Sequence, residues 1–187
     1  MGEMKDRMLA GLDYRADDPD LRDDSRRAAE LTARYNAELD REVRRDLLAE
    51  LLGSVGGATT IRSEFRCDYG YNISVGAYTF VNWGAVFLDV GRITIGDHVQ
   101  LGPNVQLLTA THPLDAAARR AAWEGSAPIT LGDNVWLGGG VIVLPGVTIG
   151  ADTVVGAGAV VTRDLPAGVL AVGNPARVVR ELSADSS

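Results

Sequence analysis

Residues 131–160 read LGDNVWLGGGVIVLPGVTIGADTVVGAGAV, and cutting this stretch every six residues exposes its order. Each block begins with an aliphatic residue: Leu131, Leu137, Val143, Ile149 and Val155. Glycine follows at Gly132, Gly138, Gly150 and Gly156. A strand repeats its side chains every two residues and a helix every 3.6, so a period of six belongs to neither alone. Four positions beyond each start stands a small or β-branched residue, among them Val135, Val141, Val147, Thr153 and Ala159. Two inward positions per block, separated by turn-forming Gly, Asn and Asp, describe a short flat strand followed by a corner. Three such sides close one triangular turn, and stacked turns form aliphatic columns inside.

Working outward, the same series runs through Val75, Val81 and Phe87, slips by two residues, and resumes at Ile95, Leu101 and Leu107. Its companion inward positions there are Thr79, Ala85, Val99 and Val105. After Leu107 the pattern vanishes and returns at Leu131, running on to Val161. Twelve blocks counted from about Ile73 predict about four turns. Before them, the stretch to about residue 60 reads as helical. Leu21, Ala28, Leu31 and Tyr35 fall at helical spacing behind Asp18–Pro19, a cap followed by a first-turn proline. Val43, Leu47, Leu48, Leu51 and Leu52 form a second apolar face that ends near Gly53. Two short amphipathic helices must pack on the coil or on a neighbouring subunit. The expected organisation is a helical segment over 1–60, a coil over 61–182 with an excursion at about 109–129, and a flexible tail over 183–187.

Composition sets outer bounds. Aromatics are 6% and glycines number 22, a profile of tight turns and aliphatic stacking. The formal charge of −7 gives no electrostatic reason to expect nucleic acid or an anionic membrane as partner. No apolar run approaches the ~18 residues of a membrane span. The single cysteine, Cys67, makes no internal disulfide, and the expected location is the cytoplasm.

Reactive groups belong where the period breaks. The segment TATHPLDAAARRAAWEGSAPIT (109–130) carries His112, one of two histidines. A long loop expelled from a regular coil usually has a function. His112 is either a general base or a surface histidine, and imidazole has the pKa suited to taking a hydroxyl proton. His98, at a corner inside a regular block, is read as structural.

The segments MLAGLDYRADDPDL, YGYNISVG, LGPNVQLLTATHPLD, ITLGDNVWLGGGVIVLPGVTIG, GAGAVVTRDLPAG and VGNPARVVRE together resemble the maltose, galactoside and nodulation-factor O-acetyltransferases. These are hexapeptide-repeat acyltransferases, and the match spans about residues 4 to 182. The resemblance implies a mainly β protein, a left-handed parallel β-helix with an N-terminal helical segment, assembled as a homotrimer. It implies acetyl-CoA as acetyl donor, a sugar as acceptor, and no metal. His112 and Glu124 then become the candidate catalytic pair, with Glu124 either orienting the imidazole or binding the acceptor. Asp68, Asn82 and Asp89 match acceptor-binding positions, although an asparagine such as Asn82 also suits a plain corner. Trp136 and Gly139 fall where relatives present a backbone amide to the thioester, while Trp83 or Trp136 alternatively covers a sugar ring. Ala157, Thr162 and Arg163 match contacts to pantetheine and pyrophosphate, with Arg163 replacing the usual lysine. Arg177 and Arg180 supply charge for CoA phosphates. Two departures touch the acceptor: Arg15 stands where an acidic residue is usual, and Ser25 where arginine often sits.

The residues also admit rivals. A covalent route would use Cys67 as nucleophile. A zinc carbonic anhydrase on the same coil needs three imidazoles per site, and the chain has two histidines. Two more rivals are acetyl transfer to a non-sugar acceptor, such as an antibiotic or small alcohol, and a non-catalytic trimeric scaffold.

Overall fold

The computed structural model describes residues 2–182; the tail expected over 183–187 lies outside the described residues. From Ser54 onward the chain winds as a three-sided parallel solenoid. Face I stacks Ser54–Val55, Ile73–Val75, Ile93–Ile95, Ile129–Leu131 and Thr148–Ile149. Face II stacks Thr60–Ile61, Phe80–Val81, Gln100–Leu101, Trp136–Leu137, Val154–Val155 and Val169–Val172, and Arg177–Glu181 closes it as an antiparallel edge. Face III stacks Arg66–Cys67, Val86–Leu88, Gln106–Leu108, Ile142–Val143 and Val160–Val161. Each face therefore has five strands in register, and Leu165 with Val169–Val172 opens a sixth turn.

The count of turns exceeds the four expected, and the coil starts at Ser54 rather than 61. The missed turn is SVGGATTIRSEFRC, whose inward residues Val55, Ile61 and Cys67 keep the sixfold step without its regular glycines. The two-residue slip proves to be a repeated structural feature. Val55 pairs with Val75, and Val75 with Ile95, so these turns take 20 residues. Leu131 pairs with Ile149 after 18. The surplus residues all fall at the corner between face III and face I, at Asp68–Gly70 and Asp89–Gly91.

The predicted columns form the core. Every block start from Val75 to Val161 is buried, as is every companion from Thr79 to Ala159. At about 25 cal/mol per Å² of apolar surface, these aliphatic columns dominate the favourable side of folding. Neighbouring turns approach so closely at the corner from face II to face III that a Cβ on Gly138 would lie 2.6 Å from the Ala157 nitrogen. No other residue type fits there.

A stacked coil leaves an open end, and the helices close it. α1 covers Glu3–Leu9, α2 Pro19–Ala37 and α3 Arg41–Leu51. Asp18 caps α2 by accepting from the Asp20 amide, and Asp40 caps α3 by accepting from Glu42 and Val43. Ala28, Leu31, Tyr35, Leu47, Leu48, Leu51 and Leu52 join the same apolar cluster as the coil columns, whereas Val43 stays 43% exposed in the first turn of α3. Polar contacts fix the dock. The Tyr35 hydroxyl donates to the Ile61 carbonyl, and Asn36 exchanges two hydrogen bonds with the Phe65 backbone. Phe65 in turn meets Phe87 edge-on, with ring centroids 5.3 Å apart. Among the described residues no helix is long and apolar enough to cross a membrane.

Candidate active site

The excursion after Leu107 is an ordered hairpin. Ala110–Thr111 and Trp123–Ser126 pair antiparallel, with the short helix α4 (Ala116–Arg120) between them. Asp115 caps α4 through the Ala118 amide, and the Arg119 guanidinium donates to the carbonyls of Pro113 and Leu114. These contacts hold the turn that carries His112. A third strand comes from far away in sequence: Tyr14–Arg15 pairs with Trp123–Glu124, in the register Tyr14 to Glu124.

That register sets the geometry. The Tyr14 hydroxyl donates to Glu124 Oε2 at 2.7 Å, and Glu124 Oε1 lies 3.8 Å from His112 Nδ1. The second distance is too long for a hydrogen bond. The Tyr14 side chain is fully buried, in a cluster with Met8, Leu21, Tyr69 and Val90. The His112 side chain is 54% exposed and Glu124 22%. Burial, and then the hydrogen bond to Glu124, push the Tyr14 hydroxyl far above its usual range, so it remains a donor.

Asp68 stands at the same corner. Burial, reinforced by Asp89 and Glu124, raises its carboxyl from 3.8 to about 6. Asp89 differs in kind. It is fully buried, and its carboxylate accepts from the amides of Asp68 and Tyr69 at 2.9 Å and Asn72 at 3.3 Å. Burial raises its pKa, against these backbone bonds that lower it. The acceptor-binding role expected for Asp89 is therefore corrected. Both oxygens are spent inside the protein, where they satisfy the amides that the two-residue enlargement of this corner would otherwise orphan. Thr109 does similar work one turn on, donating to the Leu88 carbonyl and accepting from the Gly91 amide.

Other expected residues occupy a second corner, between faces II and III. Asn82 accepts from the Trp83 amide within its own corner, and Arg62 stacks over the Trp83 ring at 3.9 Å. The corner is a ladder in which the amides of Asn104, Gly140 and Gly158 donate to the carbonyls of Trp83, Pro103 and Gly139. The Gly139 amide itself has no partner among the described residues. Trp136, 55% exposed on face II, and Ala157, also exposed, lie beside it. Thr162 and Arg163 project at the first corner, three turns from Asp89 along the stack, and Arg177 and Arg180 are exposed on the closing edge of face II. Within one chain the structure thus brings His112, Glu124 and Asp68 together, but holds Asn82, Trp136, Gly139 and Ala157 across face III from them.

His98 sits at the remaining corner with a φ of 57°, stacked on Tyr78 at 5.0 Å, in keeping with a structural part. Cys67 is largely buried, and burial pushes its thiol up to about 12. The covalent rival would need a thiolate that this environment suppresses. Arg15 folds back on Asp17, with contacts of 2.7 and 3.1 Å. Sequence reasoning missed Tyr14 and Tyr69 altogether. The only signal for Tyr14 was its place inside GLDYRADDP.

A hexapeptide solenoid closed by an N-terminal helical cap, with one ordered hairpin carrying a histidine, defines an acyltransferase architecture. The family model described as the maltose acetyltransferase hexapeptide capping motif matches residues 7–56, and the bacterial transferase hexapeptide (six repeats) matches 128–163. Nodulation protein L of Rhizobium meliloti is 49% identical over 93% of this chain and 96% of its own length. The crystal structure of a maltose O-acetyltransferase from Clostridium difficile 630 superposes with a TM-score of 0.94 at 48% identity, covering 96% of this chain and 97% of that one. A hexapeptide-repeat acetyltransferase of Vibrio cholerae, complexed with acetyl coenzyme A, gives 0.91 at 39% identity, covering 98% and 100%. The chain belongs to the maltose and galactoside O-acetyltransferase family.

Proposed function

We propose that this protein, as a homotrimer, moves the acetyl group of acetyl-CoA onto a hydroxyl of a mono- or oligosaccharide, with His112 as general base. The observation that carries this reading is the alignment of Tyr14, Glu124 and His112 on a hairpin ejected from an otherwise inert coil. The Glu124 side chain, beside Nδ1, favours a proton there and leaves Nε2 free to accept one. The acceptor hydroxyl gives its proton to Nε2 as its oxygen attacks the thioester carbon. The tetrahedral intermediate collapses with cleavage of the C–S bond, and the imidazolium returns the proton to the departing thiolate. Ester and free CoA are the products, and no external base is consumed. The unpartnered Gly139 amide suits the oxyanion, a contribution of about 3 kcal/mol in comparable sites.

The two-corner arrangement supports the trimer. The strand and flanks between Asn82 and Asp89 span on the order of 20 Å, too far for a thioester at Gly139 to meet an oxygen held by His112 of the same chain. A neighbouring copy that sets its Gly139 corner against this chain's His112 corner completes the site. Exposed Trp136 and Ala157, with the close-stacked glycines, offer a surface along which a thin pantetheine arm would lie, and Thr162, Arg163, Arg177 and Arg180 lie toward the outer end of the coil for its phosphates. Sugar as acceptor accords with the relatives and with short polar side chains at Asp68 and Asn82.

The test is free-thiol release from acetyl-CoA with maltose and a panel of other sugars. His112→Ala should lower turnover by roughly 10²–10⁴ while CoA still raises the melting temperature. Parental turnover in that variant refutes the role given to His112.

A further inference from the structure

We propose that Tyr14 is a positioning residue for this reaction: through Glu124, the N-terminal arm sets the orientation and tautomer of the His112 imidazole. The inference rests on the reading of His112 as base and extends it to a residue outside the hairpin.

Three observations carry it. Tyr14–Arg15 is added as the outer strand of the hairpin, with Tyr14 directly opposite Glu124, so the arm and the carboxylate share one register. The phenol is locked, its ring enclosed by Met8, Leu21, Tyr69 and Val90. Its hydroxyl takes one carboxylate oxygen at 2.7 Å and leaves the other directed at Nδ1. A glutamate side chain has three rotatable bonds. Tyr14 removes that freedom at one oxygen, so the remaining charge points one way. A carboxylate oxygen 3.8 Å from Nδ1 favours a proton on that nitrogen electrostatically. The arrangement therefore selects the tautomer whose Nε2 is basic.

The chain has two histidines, which makes a direct readout practical. In full-length protein labelled with ¹⁵N-histidine, His98→Gln assigns the ring signals, and long-range NMR correlations report which nitrogen of His112 carries the proton. We expect Nδ1–H in the parent. Tyr14→Phe keeps the buried ring and deletes only the hydroxyl, and we expect it to shift His112 toward the Nε2–H form, as Glu124→Gln does. With maltose and acetyl-CoA, kcat should fall about tenfold in Tyr14→Phe, equivalent to ~1.4 kcal/mol, with KM for acetyl-CoA unchanged. In the Glu124→Gln background the same substitution should add nothing. A parental tautomer in Tyr14→Phe, or no tautomer change in Glu124→Gln, overturns the proposal. The outcome stands apart from the functional reading. Full turnover in His112→Ala defeats that reading, whereas loss there with a parental ring in Tyr14→Phe defeats only the role of Tyr14.

Discussion

Replacing Asp68 with asparagine should stabilise the protein in mildly alkaline solution while weakening its proposed function. Asp68 is half-buried between Asp89 and Glu124, and its carboxyl is raised from 3.8 to about 6, by burial first and the two acids second. A folded-state pKa above the unfolded one means that the native state holds the proton more tightly. The stability it confers is complete below about pH 4 and declines as pH rises through about 6. The displacement amounts to about 3 kcal/mol at 1.36 kcal/mol per pH unit, and water reaching a half-buried group reduces it to roughly 1–2 kcal/mol. Asparagine removes the ionisation and keeps the shape. Urea unfolding of both proteins, at equal subunit concentration and at about pH 5 and pH 8, reads the effect. The variant should gain stability relative to the parent between the two pH values, because the parent alone loses it. If the parent and variant lose stability in parallel, or if the parent is the more stable at pH 8, the reasoning is wrong. Under the proposed function the same variant should show a raised KM for the sugar, since a carboxylate contact to the acceptor is gone.

Two further predictions concern the cap and the rival mechanism. Phe65→Ala empties a fully buried site against Phe87 at the junction of cap and coil, and should cost about 3–5 kcal/mol in denaturant unfolding; a loss below about 1 kcal/mol would mean that the cap does not seal the core. Cys67→Ala should keep parental turnover, and the parent should resist alkylation at neutral pH, because a thiol titrating at about 12 is ionised in about one molecule in 10⁵; rapid inactivation by iodoacetamide, protected by acetyl-CoA, would restore the covalent route.

What the sequence disclosed depended on whether a feature was periodic. The columns from Val75 to Val161 were legible because a solenoid repeats one local solution, so each inward residue announces the next. The first turn, with Val55, Ile61 and Cys67 inside, was hidden because it serves as an interface with α2 and α3 as well as a turn, and packing against helices relaxed its glycine pattern. His112 was visible as a departure from the repeat. Tyr14 was not, because its partner lies 110 residues away and strand addition of two residues leaves no periodic trace.

Asp89 shows why matching a residue type to a role can mislead at such a corner. An aspartate beside a presumed sugar site invites the assignment of acceptor contact, and Asp68 and Asp89 are equally acidic on paper. Their difference arises from topology. A turn of 20 residues has two more backbone amides at one corner than a turn of 18. Asp89 accepts from the amides of Asp68, Tyr69 and Asn72 at that corner, and so satisfies the added ones from within the protein. Asp68, one of the residues of that enlarged corner, lies within the field of Glu124. The two-residue slip and the acidic site therefore have one origin: the coil widens where the chemistry is proposed to occur, and a buried carboxylate makes the widening tolerable. Asp89→Ala would then lower stability by about 2–4 kcal/mol through orphaned amides, and would disturb the acceptor side only by letting the Asp68 turn collapse.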